Sequence, residues 1–182
     1  MDFTKMINFV ESHVNILARS YYEQLMKSEY MTTYQKLDEV KVIEREELVF
    51  KNFINWLKNG ASNDEAEKYF EKVGADRFNE GFPLTEINYA LYITKKVFWS
   101  TIAWKKELFE DSEFHQLIEY MTILNNYFDL GSFYLIRGYI NMLFTKLDIS
   151  DKLTREEIHT ILVRGAFDDD ELDKSDFVWR HV

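Results

Sequence analysis

The sequence predicts an all-α protein. Apolar residues recur at three- and four-residue steps along most of the chain, and helix breakers are scarce (one Pro and six Gly in 182 residues), which leaves few places to break helices. With 46% hydrophobic residues the chain suffices for one domain with a sizeable core. Aromatic residues reach 16%, so that core is ring-rich or some rings face a ligand or a partner.

The first helix is expected from Phe3 to Lys27, where Phe3, Met6, Val10, Val14, Leu17, Tyr21 and Leu25 share one face. After a polar connection at Met31 to Lys36, a second helix from Glu39 to Lys58 presents Ile43, Phe50, Phe53, Ile54 and Leu57 and stops at Asn59-Gly60. Asn63 or Asp64 can cap a third helix with the stripe Ala66, Tyr69, Phe70, Val73 and Arg77, ending near Gly81. Pro83, Thr85 and Glu86 mark the start of a fourth helix running to Phe109. It is apolar almost all round, with Ile87, Leu91, Phe98 and Ile102 on one side and Tyr89, Tyr92 and Trp99 on another, as expected of a helix between two layers.

Ser112 caps the longest segment, Glu113 to Leu147. Its residues Leu117, Met121, Leu124, Phe128, Gly131, Leu135, Gly138 and Met142 form a heptad seam, and the two glycines would let two helices approach closely. A second stripe, Phe114, Ile118, Phe133, Ile136, Ile140, Leu143 and Leu147, is offset from it. The seam reads as a homodimer interface, the alternative being packing within the chain. Thr154 and Glu157 form a capping box for a short last helix through Phe167. The domain is thus expected to span 1–167, and 168–182 to be an acidic tail, either solvated or docked through Trp179.

The chain has no Cys, which excludes disulfides, zinc-thiolate sites and cysteine nucleophiles. No signal-peptide pattern follows Met1, and the most apolar stretch, Phe133 to Phe144, is interrupted by Arg137 and Asn141. A cytoplasmic protein without a membrane span is expected. The net charge of -10 argues against nucleic-acid binding.

No phosphate loop, nucleophile elbow or zinc-helix motif is present, so a non-catalytic role is expected. His13 and His115 lie at the edges of apolar stripes, where structural histidines are common. Glu156 and His159 give half of a di-iron signature without its second copy. Glu46-Glu47 reads as helix surface. Arg77, an arginine on an apolar stripe, is the most informative residue: it either snorkels at a helix end or provides a half-buried cation for an anion or a ligand carboxylate. Arg137 invites the same two readings, with pairing to an acid as the plainer one.

The string from Val73 through Gly74, Arg77, Gly81 and Pro83, followed by Tyr89-Ala90-Leu91-Tyr92, resembles the corresponding turn of globin-type bacterial sensor domains. The stretch from Arg77 to Trp99 is also similar to the N-terminal sensor domains of RsbR-type stressosome proteins. Arg77 stands in the place of the proximal His and cannot ligate iron. The resemblance therefore implies a haem-less, globin-like domain of about six helices that dimerises through its last long helices. It further implies a fatty-acid-like ligand with an inorganic anion nearby, and a signalling partner such as a sporulation histidine kinase or a stressosome component.

Such a ligand would lie among Phe50, Phe53, Tyr69, Phe70, Val73, Leu91 and Phe98, anchored by Arg77 or Arg137. The competing expectations are a ligand-free dimeric interaction module and a haem-binding gas sensor using His13, His115 or His159.

Overall fold

The computed structural model describes residues 3–109, 114–149 and 157–158. Five helices are found among them: α1 (Thr4–Met26), α2 (Glu39–Lys58), α3 (Asn63–Asn79), α4 (Leu84–Ile102) and α5 (Phe114–Ile149). Two short 3₁₀ turns, Tyr34–Lys36 and Lys106–Leu108, lie in the connections before α2 and α5. Every described element is helix or turn, so the protein is all-α over these residues. No helix among them is long and apolar enough to cross a membrane. The expected last helix to Phe167 is described only at Glu157 and Ile158, which are helical; the rest of it, the Glu156 and His159 pair and the acidic tail lie outside the described residues.

The stops are set by local chemistry. Asp38 caps α2, its Oδ1 accepting from the amides of Val40 (2.9 Å) and Lys41 (3.4 Å). At the far end Gly60 takes a left-handed φ of 80°, while Ala61 N donates to Trp56 O and Gly60 N to Leu57 O, the paired bonds of a Schellman motif. The same motif closes α3: Gly81 has φ 79°, Phe82 N donates to Arg77 O, and Gly81 N donates to Phe78 O. It throws Phe82 back over the end of α3, and Pro83 then starts α4.

α4 ends at Ile102, earlier than the pattern to Phe109 suggests. Its buried stripe finishes there, and the Lys105 amide closes 3₁₀-fashion on Ile102 O.

Helices pack in two pairs. α1 lies chiefly on α2 and α3 chiefly on α5, while α4 bridges α1 and α5. The expected sandwiching of α4 is met on its core side alone: Tyr92 is exposed and Tyr89 half-buried, stacked on one another at 5.4 Å. Trp99 packs against α5 with its Nε1 donating to Asn125 Oδ1 at 3.2 Å.

Between the pairs lies a knot of rings. Phe53 meets Phe98, Tyr127 and Phe128 at centroid distances of 5.1, 5.0 and 5.9 Å, and Trp56 meets Tyr127 at 4.8 Å. Edge-to-face and offset pairs of this kind add about 0.5–1.5 kcal/mol each beyond burial.

The heptad seam of α5 is occupied within the same chain, by α3 around Gly131, Leu135 and Gly138 and by Phe53 and Phe98 at Phe128. A Cβ on Gly138 would lie 2.1 Å from Glu71 O, and one on Gly131 would lie 2.6 Å from the Phe70 ring. From the other side, a Cβ on Gly74 would lie 2.0 Å from Leu135 O. Leu124, Phe128 and Leu135 are buried along the same line. The expectation that this seam joins two subunits is thereby corrected for Leu124, Phe128, Gly131, Leu135 and Gly138: the glycines admit α3. Leu117 and Met142 are half-buried at the ends of the seam. Met121 faces outward with Phe114, Ile118, Phe133 and Phe144, so part of the second stripe is the exposed face.

Candidate functional site

The two helix pairs and α4 line a half-open cavity of about 50 Å³. Tyr21 of α1 and Tyr34 of the first 3₁₀ turn close one side. Val42, Arg45, Glu46 and Val49 of α2 form the next wall, and Tyr69, Phe70, Val73 and Arg77 of α3 face it. Ile87, Ala90, Leu91 and Thr94 of α4 and Leu135 of α5 complete the lining.

Helical spacing explains this convergence. Residues 42, 45, 46 and 49 of α2, and 69, 70, 73 and 77 of α3, each fall within one face of their helix.

Glu46 is the unexpected member. It is 4% exposed, although it reads as surface in the sequence, and this corrects that expectation. Its Oε1 has no hydrogen-bond partner. Burial pushes its carboxyl from 4.5 up to about 8, with the Thr94 hydroxyl beside it pulling partly back. The group is therefore mainly neutral at pH 7, both a donor and an acceptor. Tyr127 lies close behind, its hydroxyl also buried and unpartnered, and burial raises the hydroxyls of Tyr21, Tyr69 and Tyr127 well clear of neutral pH.

Toward the surface sits an arginine pair. Arg45 Nη2 donates to Glu80 Oε1 at 2.8 Å and Arg77 Nη1 donates to Glu80 Oε2 at 3.0 Å, so one carboxylate serves two guanidiniums. Both guanidiniums also face the Phe82 ring at 5.8 Å, the ring placed there by the turn that ends α3. Their side chains are 17% and 15% exposed, and Arg45 Nη1 is buried without a partner. Burial works against the Arg77 charge, but Tyr34 and Glu80 outweigh it and raise its pKa. With Glu46 neutral, two cations and one anion leave the site one positive charge in excess, within a chain whose net charge is -10.

The first 3₁₀ turn, which carries Tyr34, is held by a second buried acid, Glu86. Its carboxylate accepts from Thr32 Oγ1 (3.1 Å), Thr33 N (3.0 Å), Thr33 Oγ1 (2.9 Å) and Tyr34 N (3.3 Å). Sequence reading placed Glu86 at a helix start as a partner of the dipole; here it also ties the α1–α2 connection to α4.

Of the residues expected to line a ligand site, Arg77, Tyr69, Phe70, Val73 and Leu91 meet at the cavity. Phe50, Phe53 and Phe98 do not line it; they are wholly buried, and Phe53 and Phe98 belong to the ring knot. Arg137 is elsewhere, on the outer side of the α3–α5 seam, bonded to Glu67 and Glu71 and lying over Tyr134 at 4.9 Å. Pairing with acids, the plainer of its two readings, is what the structure displays.

The polar lining residues missed were Tyr21, Tyr34, Arg45, Glu46 and Thr94, and with them the apolar Val42, Val49, Ile87, Ala90 and Leu135. Glu46 had a legible signal: it fills the gap in the stripe Ile43, Phe50, Phe53, Leu57, where an apolar residue would be expected.

His13 stacks on Phe9 at 4.1 Å, and its Nδ1 donates to Phe9 O at 2.8 Å. No cluster of three metal-ligating side chains occurs among the described residues. The chain matches no protein-family model, no curated protein and no solved structure.

Proposed function

We propose that this chain is a non-catalytic sensory or regulatory domain, a haem-less globin-like sensor, that binds a ligand in this cavity and reports it through the packing of its helices. One observation carries the reading. All five helices converge on a cavity whose buried walls present Glu46 Oε1 and Arg45 Nη1 without partners. Buried polar groups are nearly always satisfied, and native exceptions commonly mark a site where something else completes the bonding.

The fatty-acid-like ligand implied by the resemblance needs more room than this. Sites for drug-sized ligands occupy about 300–1,000 Å³, against about 50 Å³ here. An acyl chain would enter by parting the α1–α2 pair from the α3–α5 pair.

Signalling requires the ligand to favour one packing over another. The mobile boundary in this reading is the one between the two pairs, with α4 as the bridge. The signal would pass to a partner such as a histidine kinase or a stressosome component, and a homodimer would form through the outward face of α5, where Phe114, Ile118, Met121, Phe133 and Phe144 are exposed.

The test is extraction and mass spectrometry of protein purified from cells without added ligand, beside a visible absorption spectrum. A stoichiometric small molecule that is lost in Ala90→Leu, which fills the cavity, supports the reading. Protein that carries nothing, and that no small molecule stabilises, favours the ligand-free interaction module; a Soret band would favour the haem sensor.

A further inference from the structure

We infer that the cavity receives a short-chain carboxylate, with its oxygens between Arg45 Nη1 and the Glu46 carboxyl and its alkyl end against Val42, Val49 and Leu91. The inference rests on the ligand-binding reading above and narrows it to a chemical class.

Size is the first argument. A water needs about 10–15 Å³ of such space, so a cavity of about 50 Å³ admits roughly three to five water-sized groups. That is the bulk of a ligand of roughly three to five heavy atoms, the size of acetate or propionate.

Charge is the second. Arg45 and Arg77 share the single carboxylate of Glu80. A poorly solvated cation in excess is unfavourable unless an anion joins it, so the site selects an anionic head. Arg45 Nη1 is the donor left over for it.

The second pole discriminates further. Glu46, 4% exposed and with Oε1 unpartnered, can donate its proton to a carboxylate, a charge-assisted bond stronger than a neutral one. The remaining lining, including Val42, Val49, Val73 and Leu91, is apolar and suits an alkyl group. Inorganic oxyanions offer these walls nothing, and an amine would face two guanidiniums.

The groups that face Glu46 make its proton the sensitive one. They are Tyr21 from α1, Tyr34 from the 3₁₀ turn, Arg45 on its own helix, Tyr69 and Arg77 from α3, the Thr94 hydroxyl from α4 and Tyr127 from α5. Burial keeps the tyrosines protonated, and Arg77 stays charged because Tyr34 and Glu80 outweigh its burial. A bound anion disfavours ionisation of Glu46, so binding is strongest between the ligand's own carboxyl titration, at about 4–5, and about pH 8. Above that value it weakens by about tenfold per unit.

The experiment is an NMR titration of the full chain with acetate, propionate and lactate at pH 6.5 and pH 9, with octanoate, nitrate and methylammonium for comparison. Propionate is expected to bind at pH 6.5 with a roughly millimolar or tighter Kd, and about tenfold more weakly at pH 9. Glu46→Gln, a stand-in for the protonated acid, should bind alike at both values.

Arg45→Gln should lose at least tenfold in affinity. Arg45→Lys keeps the pairing with Glu80 but lacks the second nitrogen, and should show the same loss if the Gln variant fails to fold. Tighter binding at pH 9, full affinity in Arg45→Lys, or equal binding of nitrate or methylammonium would overturn the inference. So would no binding of any short carboxylate. If a different molecule then copurifies with the wild type and not with Ala90→Leu, the ligand-binding reading survives without this narrowing; if nothing copurifies and no small molecule stabilises the protein, both fall.

Discussion

Gly138→Ala separates the two readings of the α5 seam. In isolation the substitution favours the helix by about 1 kcal/mol, because Ala is the better helix former. In the structure the added Cβ would stand 2.1 Å from Glu71 O and 2.7 Å from Glu71 Cα, and ordinary contact begins at 3.4 Å. The obstacle is helix backbone, so no side chain can swing aside, and α3 must move off α5 by about 1 Å. A gap of that size forfeits a quarter to a half of each dispersion contact across the seam. Phe70, Phe78, Leu135 and Tyr139 are all buried along it. Overpacking of this kind costs about 1–3 kcal/mol, occasionally more. Set against the gain in propensity of about 1 kcal/mol, a net loss of about 1 kcal/mol is expected, or roughly 2–4 °C in Tm for a chain of this size. Thermal melts followed by circular dichroism at two protein concentrations tenfold apart, with sedimentation velocity alongside, provide the measurement. The drop should be the same at both concentrations. An unchanged monomer Tm together with loss of a dimer would falsify the intramolecular seam and restore Gly138 to a subunit interface.

Three further outcomes are expected. Glu46 has a carboxyl raised to about 8 in the folded chain against an ordinary value of 4.3 when unfolded, so the folded state binds the extra proton between these values. Wild-type stability must therefore fall, relative to Glu46→Gln, as pH rises from about 4.5 to about 8, at up to roughly 1.4 kcal/mol per unit; parallel denaturation curves for the two proteins across that window would contradict the buried acid. Glu86→Ala leaves the amides of Thr33 and Tyr34 without their acceptor and should cost about 2–3 kcal/mol; amide exchange at those two residues should accelerate, and unchanged protection would show that Glu86 does not hold the turn. Arg137→Ala removes the pairing with Glu67 and Glu71 at a half-exposed position far from the cavity lining, so ligand retention should match the wild type; a loss of ligand in this variant would return Arg137 to the site.

Periodicity made the helices legible because burial acts on whole faces. The bounds of α2 agree with the sequence reading at both ends, since Asn59-Gly60 can hardly continue a helix and Gly60 has the left-handed φ the stop requires. What periodicity could not supply was the partner of each face. The α5 seam carries the small residues and spacing of a coiled-coil interface, and α3 answers it with Gly74 set against Leu135 O and with Glu71 backbone set against Gly138. Seen from α5 alone, a helix of the same chain and a helix of another satisfy that pattern equally well. The cavity was half legible for a related reason. Arg77 stood out as a charge on an apolar stripe, whereas Glu46 was read together with Glu47 as a charged surface. The two differ by one position, about 100° around the helix, which places Glu46 in line with Phe50 and Phe53 and leaves Glu47 to reach Asn15 and Lys51.

The seam and the cavity share side chains, and this bears on how occupancy could be transmitted. Phe70 lines the cavity while its ring fills the space over Gly131, and Leu135 lines it while its carbonyl abuts Gly74. A wall locked by backbone-to-backbone contact yields little, so pressure from a ligand should move α3 and α5 together. On the opposite side α1 and α2 are tied by Asn15 to Glu47 and by Lys58 to Glu11. Between α2 and α3 the packing is sparse, and the bridge from Arg45 to Glu80 spans it. On the ligand-binding reading proposed above, a ligand anion that engages Arg45 would act at a sparsely packed boundary, next to the ion pair that spans it. On that reading the two pairs would respond as rigid halves because their own seams resist, and the displacement would fall where α4 meets α5, at the contacts of Lys95 with Asp129 and Trp99 with Asn125. These contacts lie on the side of α5 that borders its exposed apolar face, so a shift there would reach that face without unfolding any helix.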